Sequence, residues 1–343
     1  MTHKVFDVPK NETYVPMQVG AALNKDLGYL RDDRGDNISD LNPYFGELTG
    51  YYWVWKNFHD ADIVGVCHYR RYFGVDGRLM DASEYENIIK EYDIMISNLV
   101  ETEMSNYKEE FGHAHNIEDL LLVGEAIKEL YPSYYESFEK ALQRNKTCYG
   151  NLCVMRKQLF DEYCEWLFSI FLWMLDKVDV SGYDAYHKRL YGFLSENLIS
   201  VFADAKGLST KNGTVYITDE KAETKELKLA MSQLVKEKKF SEAREMMTNY
   251  IQIRPDVILP LSDISGEIAD INVILGILES EEKLGLYSFY RLGESLKELI
   301  VIYRKLKIVI DKINNGIAAS EEEMVFFKEC NISDIAKGVM TIN

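Results

Sequence analysis

The side chains most able to do chemistry stand together at His68-Tyr69-Arg70-Arg71, directly after the apolar run Ile63-Val64-Gly65-Val66-Cys67. Two guanidiniums beside an imidazole can grip phosphate or carboxylate oxygens, the arginines through paired N–H donors. The apolar run is β-branched and bounded by Asp60, Asp62 and Gly74, and it reads as a buried strand of a parallel sheet. Ligands of open α/β sheets lie beyond the carboxyl ends of the strands, so the cations stand where an anion would bind. The same arginines could instead brace surface carboxylates of an acidic protein. Asp60-Ala61-Asp62 spells D-x-D, but it precedes the strand and reads as a turn at the other edge of the sheet. His113-Ala114-His115 would share a face if extended and could then ligate a metal, yet no acidic partner follows at a fixed spacing. The phosphate-binding glycine motifs, the G-x-S-x-G elbow and the kinase signatures are missing, which removes the usual marks of dinucleotide, P-loop and serine hydrolase chemistry.

Stepping outward from these residues, Thr2-His3-Lys4-Val5-Phe6 reads as the tail of a first strand that is very short or begins upstream. An acidic, turn-rich loop spans Asp32 to Asp40. Asn42 and Pro43 suit a helix start, and the helix that follows sets Phe45, Leu48, Tyr52 and Trp55 on one stripe against the sheet. Glu47, Thr49, Trp53 and Lys56 fall off that stripe and are available to a ligand. A helix from Ser83 to Glu91 and a strand from Tyr92 to Ser97 come next. Asn98 to Asn116 lacks periodicity and reads as a loop over the site. Helices over Ile117–Leu130 and Pro132–Arg144, a strand over Thr147–Met155, helices over Phe160–Leu175 and Tyr183–Ala205, and a closing strand over Thr214–Thr218 complete an α/β domain of residues 1–220. From 221 to 343 the pattern is helical. Lys228 to Pro255 resembles a single tetratricopeptide-type hairpin, with Leu229, Leu234, Phe240, Ala243 and Pro255 at suggestive positions. One copy cannot make an array, so this part reads as an appendage for docking, for a lid or for homo-oligomers.

Composition narrows the function classes. A formal net charge of −17 disfavours a nucleic-acid partner or an anionic membrane bound over a broad face. No apolar stretch is long enough to span a bilayer and the first residues do not form a signal peptide, so the expected location is cytoplasmic. The five cysteines are scattered without a C-x-x-C pair and read as reduced core residues. The 23 tyrosines crowd the first two hundred positions, which suits a groove for sugars as well as an aromatic core.

Five blocks in order, Pro16-Met17-Gln18-Val19-Gly20, Gly35 to Ser39, Glu47 to Asn57, Gly65 to Phe73 and Gly192-Phe193-Leu194-Ser195-Glu196, resemble the signature of a bacterial polysaccharide-biosynthesis family. This is domain-of-unknown-function family 4422, found among capsular and exopolysaccharide glycosyltransferases, and the likeness covers roughly residues 1–205. The resemblance implies an A-type, single-sheet Rossmann-like glycosyltransferase domain followed by a smaller all-helical part. It implies transfer of a sugar, a hexose by preference, from a UDP-sugar co-substrate to a glycan or lipid-linked glycan; if the acceptor is lipid-linked, the enzyme would work at the inner membrane face without spanning it.

By position in the blocks, Thr2, His3, Lys4, Gln18, Gly20, Asp33, Asp36 and Asn37 would hold the nucleotide, with Asp33 or Asp36 on ribose or uracil. Glu47, Thr49, Lys56 and Ser195 join them as substrate-binding candidates, and Asn151 resembles the sugar-contacting Asn of related folds. Glu196 is the candidate acceptor-side base, with Asp184 in reserve; a solvated helix-face glutamate is the plain alternative. His68, Arg70 and Arg71 occupy the place where a metal-binding D-x-D is common, so a divalent cation is expected to be dispensable and no other cofactor is implied. The rival class is a non-catalytic adaptor that binds sugar nucleotide or glycan.

Overall fold

A computed structural model of the chain describes residues 1–254, 257 and 262–342. The chain forms two compact units, residues 1–218 and 219–343.

Unit 1 is mixed α/β. In chain order its elements are β1 (Met17–Gln18), β2 (Leu30–Arg31), α1 (Asn42–Phe45), α2 (Leu48–Asn57), β3 (Ile63–Val66), β4 (Arg71–Val75), β5 (Arg78–Leu79), α3 (Ala82–Glu91), β6 (Ile94–Ser97), β7 (Val100–Glu101), α4 (Tyr107–Ala114), α5 (Ile117–Leu130), α6 (Tyr135–Leu142), β8 (Lys146–Thr147), β9 (Cys153–Arg156), α7 (Lys157–Met174), α8 (Leu190–Lys206), β10 (Thr210–Gly213) and β11 (Val215–Ile217). The four-stranded sheet runs β10-β6-β9-β3. Its two faces are built by strict alternation: Val64, Val66, Ile94, Ile96, Cys153 and Met155 point into the large core shared with α2, α5, α7 and α8, while Ile63, Met95 and Val154 point into a smaller core with Phe73, Tyr85 and Ile89.

The orientation of β3 differs from expectation. It pairs with β9 antiparallel, as β9 does with β6, and only β10 and β6 are parallel. A run covered on both faces is apolar throughout whichever way its neighbour runs, so its sequence carries no direction. The strand also ends at Val66. His68 to Arg71 form a tight turn, the Arg71 amide donating to the His68 carbonyl at 3.1 Å, and Arg71 opens β4 of a second sheet, β11-β4-β5. The D-x-D motif lies in the bend before β3.

Four further readings need correction. The helix after Pro43 is broken at Gly46, whose φ of 55° and ψ of −130° a side chain would oppose, and α2 buries Thr49, Tyr51 and Trp53 rather than Tyr52 and Trp55. The supposed loop from Asn98 to Asn116 contains β7 and α4, capped by Asn106 and held by buried Tyr107 and Phe111 one turn apart. The strand over Thr147–Met155 is divided by a turn at Gly150-Asn151, and the helix over Tyr183–Ala205 begins only at Leu190. β10, polar in sequence, lies at the sheet edge where its alternation is weak. By contrast α5 has the expected bounds, with Asn116 capping it.

Unit 2 is helical: α9 (Ala222–Lys236), α10 (Phe240–Ile253), α11 (Glu267–Lys283), α12 (Leu296–Asn314), α13 (Glu321–Cys330) and α14 (Asp334–Ile342). Leu227, Met231, Leu234, Phe240 and Ala243 pack into its core with Ile274, Leu278 and Leu299. Leu229, assigned to the hairpin core by the repeat pattern, is instead 70% exposed, and Pro255 lies outside the described residues. Among the described residues no helix is long and apolar enough to cross a membrane.

Candidate active site

One cluster gathers residues that are far apart in the chain. Glu47 precedes α2, His68 and Arg71 flank the turn after β3, Gly150 and Asn151 precede β9, and Ser195 and Glu196 lie on α8. Gly150 and Asn151 both have positive φ, 93° and 48°. Asn tolerates the left-handed region better than most residues. Here it is anchored on every side: its amide donates to Glu47 Oε1 (2.7 Å) and the Gly192 carbonyl (2.9 Å), its Oδ1 accepts from Ser195 Oγ (2.9 Å), and its carbonyl accepts from the buried Tyr51 hydroxyl (2.6 Å).

This turn aims the Gly150 amide at Glu196 Oε1, 2.8 Å away. Burial pushes the Glu196 carboxyl up to about 7 against the pull of Arg71 and the Gly150 amide, with the Glu47 charge adding to the rise. Glu47 goes the other way: burial opposes its charge, but His68 and the Asn151 amide outweigh burial and hold it at about 2. Two carboxyls in one cluster therefore differ, one fixed as an anion and one poised near neutrality. His68 Nε2 lies 3.5 Å from Glu47 Oε1 without hydrogen-bond alignment. It and Arg71 Nε are buried nitrogens with no hydrogen-bond partner among the described residues. Such atoms are costly to leave unmet and mark a place for ligand oxygens.

The remaining candidates fall into two groups. Around the first residues, His3 meets the Tyr69 ring edge-on at 5.9 Å, Lys4 Nζ lies 5.0 Å from its centroid, and Phe6 bridges Tyr69 and Tyr29. Most of the others make bonds within the protein. Thr2 is buried and its hydroxyl donates to the Lys4 carbonyl. Gln18, also buried, spends its amide on the Lys25 carbonyl and the Leu27 amide. The Gly20 amide and the Thr49 hydroxyl both donate to Asp32, which also accepts from the Ala21 amide and Ser39 Oγ. Asp33 is engaged by Arg31 through both Nε and Nη2. Asp36 accepts from the Tyr52 hydroxyl, Asn37 Oδ1 from the Ser39 amide, and Lys56 stacks over Trp55 at 3.5 Å. Arg70 is only 4% exposed. Asp184 caps the turn before α8 and holds His187 Nδ1 at 2.9 Å. His113 is exposed, whereas His115 stacks on Phe193 at 4.2 Å. Among the described residues no group of three or more His, Cys, Asp or Glu stands ready for a metal ion.

Sequence reasoning missed Asp32, Gly150 and Arg189, whose guanidinium lies 5.3 Å from the Phe193 ring. The Gly-Asn dipeptide is a turn signal and could have been used. Nothing local tells Asp32 from Asp33, since only the fold decides which points inward.

Residues 1–207 match the model of a domain of unknown function, DUF4422. The chain belongs to this family. Among solved structures it is similar to the apo structure of WbbM, a bifunctional glycosyltransferase, with 27% sequence identity and a TM-score of 0.57 over 64% of this chain. That match spans 44% of the WbbM chain, so this DUF4422 protein accounts for less than half of that molecule's length. No curated protein matches it.

Proposed function

We propose that residues 1–218 are a glycosyltransferase that moves a sugar, a hexose by preference, from a UDP-sugar to a growing glycan in capsular or exopolysaccharide assembly. The observation that carries this is the pairing of Glu196, a carboxyl tuned near neutrality, with Arg71, whose buried Nε has no hydrogen-bond partner among the described residues, and with His68, whose Nε2 lies 3.5 Å from Glu47 without hydrogen-bond alignment, in a fold similar to a glycosyltransferase. Half ionised at pH 7, Glu196 takes the proton of the acceptor hydroxyl as its oxygen bonds to the anomeric carbon. The bond from that carbon to the diphosphate breaks with its electron pair on the leaving oxygen, and Arg71 and His68 receive the charge. Burial sets Arg70 apart, as a framework residue of the turn. Asn151 acts in the same way, through Glu47 and Ser195 rather than on the sugar.

The A-type single-sheet layout is part of the proposal. Thr2 hydrogen-bonds with Met17 and Val19, and Met1 with Cys67 and Tyr69, so backbone bonds lead from β1 through the first residues to the extension of β3. The largely half-buried aromatic and basic group of His3, Lys4, Phe6, Tyr29 and Tyr69 is where the uracil and ribose would lie. A panel of nucleotide sugars, assayed for donor hydrolysis with and without EDTA, tests the reading. Turnover of UDP-sugars that survives chelation is expected. Activity that vanishes with EDTA and returns with manganese would assign the neutralising charge to a cation. Binding of UDP without any turnover would favour the adaptor.

A further inference from the structure

We infer that the left-handed Gly150-Asn151 turn is the positioning element that sets base and guanidinium against each other: its amide grips Glu196 while its missing Cβ leaves room for Arg71. The inference rests on the reading of Glu196 as the base. A Cβ at Gly150 would come within 2.9 Å of Arg71 Nη1 and 3.1 Å of Leu152 Cδ1. The glycine φ of 93° is also one that a side chain resists. The arginine tip is the softer neighbour, so it would give way and carry its charge from the carboxylate. Asn151 fixes the turn by its four hydrogen bonds, which explains why a polar, rarely favoured backbone is held so firmly beside the site.

The groups that face Glu196 are Arg71 from β4, Glu47 from the start of α2, Arg189 from the turn before α8, Tyr107 from α4, and Cys148 and Tyr149 ahead of β9. Of these, Arg71 and Arg189 favour the anion and Glu47 opposes it. Moving Arg71 away therefore raises the midpoint at which Glu196 ionises, and the acid limb of activity moves to higher pH. A purely structural glycine would lower the amount of folded enzyme without moving that midpoint.

The test is the Glu196 midpoint, read directly from the side-chain carboxyl by NMR of the full chain with labelled glutamate, beside the pH profile of kcat/KM. In Gly150→Ala and in Arg71→Gln the midpoint should rise by a similar amount, and the double variant should rise no further than either alone. In the unmodified protein, the Gly150 amide proton should titrate with the same midpoint as the carboxyl. This last measurement stands even if Gly150→Ala fails to fold. A Gly150 amide indifferent to Glu196, a midpoint unmoved in Arg71→Gln or folded Gly150→Ala, or additive shifts in the double variant would overturn the inference. The function reading fails separately, if Glu196→Gln retains full turnover while the midpoints behave as described.

Discussion

Each unit shields a glutamate from water, fully at Glu281 and in part at Glu196, and the two are handled in opposite ways. Glu281, on α11 of the helical unit, is 1% exposed and accepts from Ser288 Oγ, Ser333 Oγ and the Phe289 amide at 2.9 Å. In the same unit, Lys228 is enclosed by Glu220, Asp263 and Glu267 at 2.6, 2.7 and 3.0 Å. Charge there is met by charge or by donors, which is what a scaffold requires. Glu196 has one backbone donor, a guanidinium beside it and, in the same cluster, nitrogens of His68 and Arg71 that make no hydrogen bond among the described residues. Complete satisfaction marks a group that holds the fold, and incomplete satisfaction marks one that waits for a ligand.

The sharpest way to break this contrast is to make the same substitution at both sites. Glu196→Gln should lower turnover by a factor on the order of 10²–10⁴ while donor affinity, followed by calorimetry, stays nearly unchanged. Unaltered turnover would show Glu196 to be an ordinary helix-face residue. Glu281→Gln should spare the chemistry of folded enzyme but cost stability of about 1.5–3 kcal/mol in urea unfolding, because a neutral amide replaces a charged acceptor and turns an N–H toward other donors. A neutral result would mean the three donors add little.

A smaller effect separates the two arginines. Arg71→Lys keeps the charge and loses the planar fork, and turnover should drop by about tenfold, the worth of roughly one hydrogen bond. Arg70→Lys should appear first in unfolding curves, as expected for a buried framework residue. Equal losses of turnover in both would restore them as a working pair.

The smallest expected effect is on stability against pH. The folded Glu196 carboxyl titrates near 7, above its ordinary 4.5, so the folded state binds the proton more tightly than the unfolded chain. That contribution is complete below about 4.5 and is lost as pH rises through 7. Glu196→Gln cannot lose it, so its melting temperature relative to the parent should climb by a few degrees between pH 5 and pH 8. A constant difference would place Glu196 in water.

Much of the framework was legible because it is local. The spacing of Leu120, Val123, Ala126 and Ile127 with Asn116 ahead of them defines α5, and Asp81 with Glu84 forms the capping box that begins α3. The change of composition near Lys221 falls beside the division between the two units at Thr218 and Asp219. The grouping of candidates was legible only in part: His68, Arg71, Asn151, Ser195 and Glu196 do come together, while Gln18, Gly20, Asp33 and Thr49 make hydrogen bonds in a second cluster around Asp32 and Arg31 or to the loop after β1.

What the sequence by itself determined were the elements with strong local signals, such as α3 and α5, since helix caps and side-chain periodicity act between residues a few positions apart. It also determined the presence of a guanidinium, an imidazole and a candidate base. Only the tertiary structure decided that β3 runs antiparallel to β9, that Asn151 reaches Glu47 across 104 positions and that Gly150 reaches Glu196 across 46. The physical reason is that ionisation and hydrogen bonding depend on distance and burial in space. Glu47 and Glu196 are the same residue type, and their neighbours from other elements hold one carboxyl at about 2 while burial lifts the other to about 7.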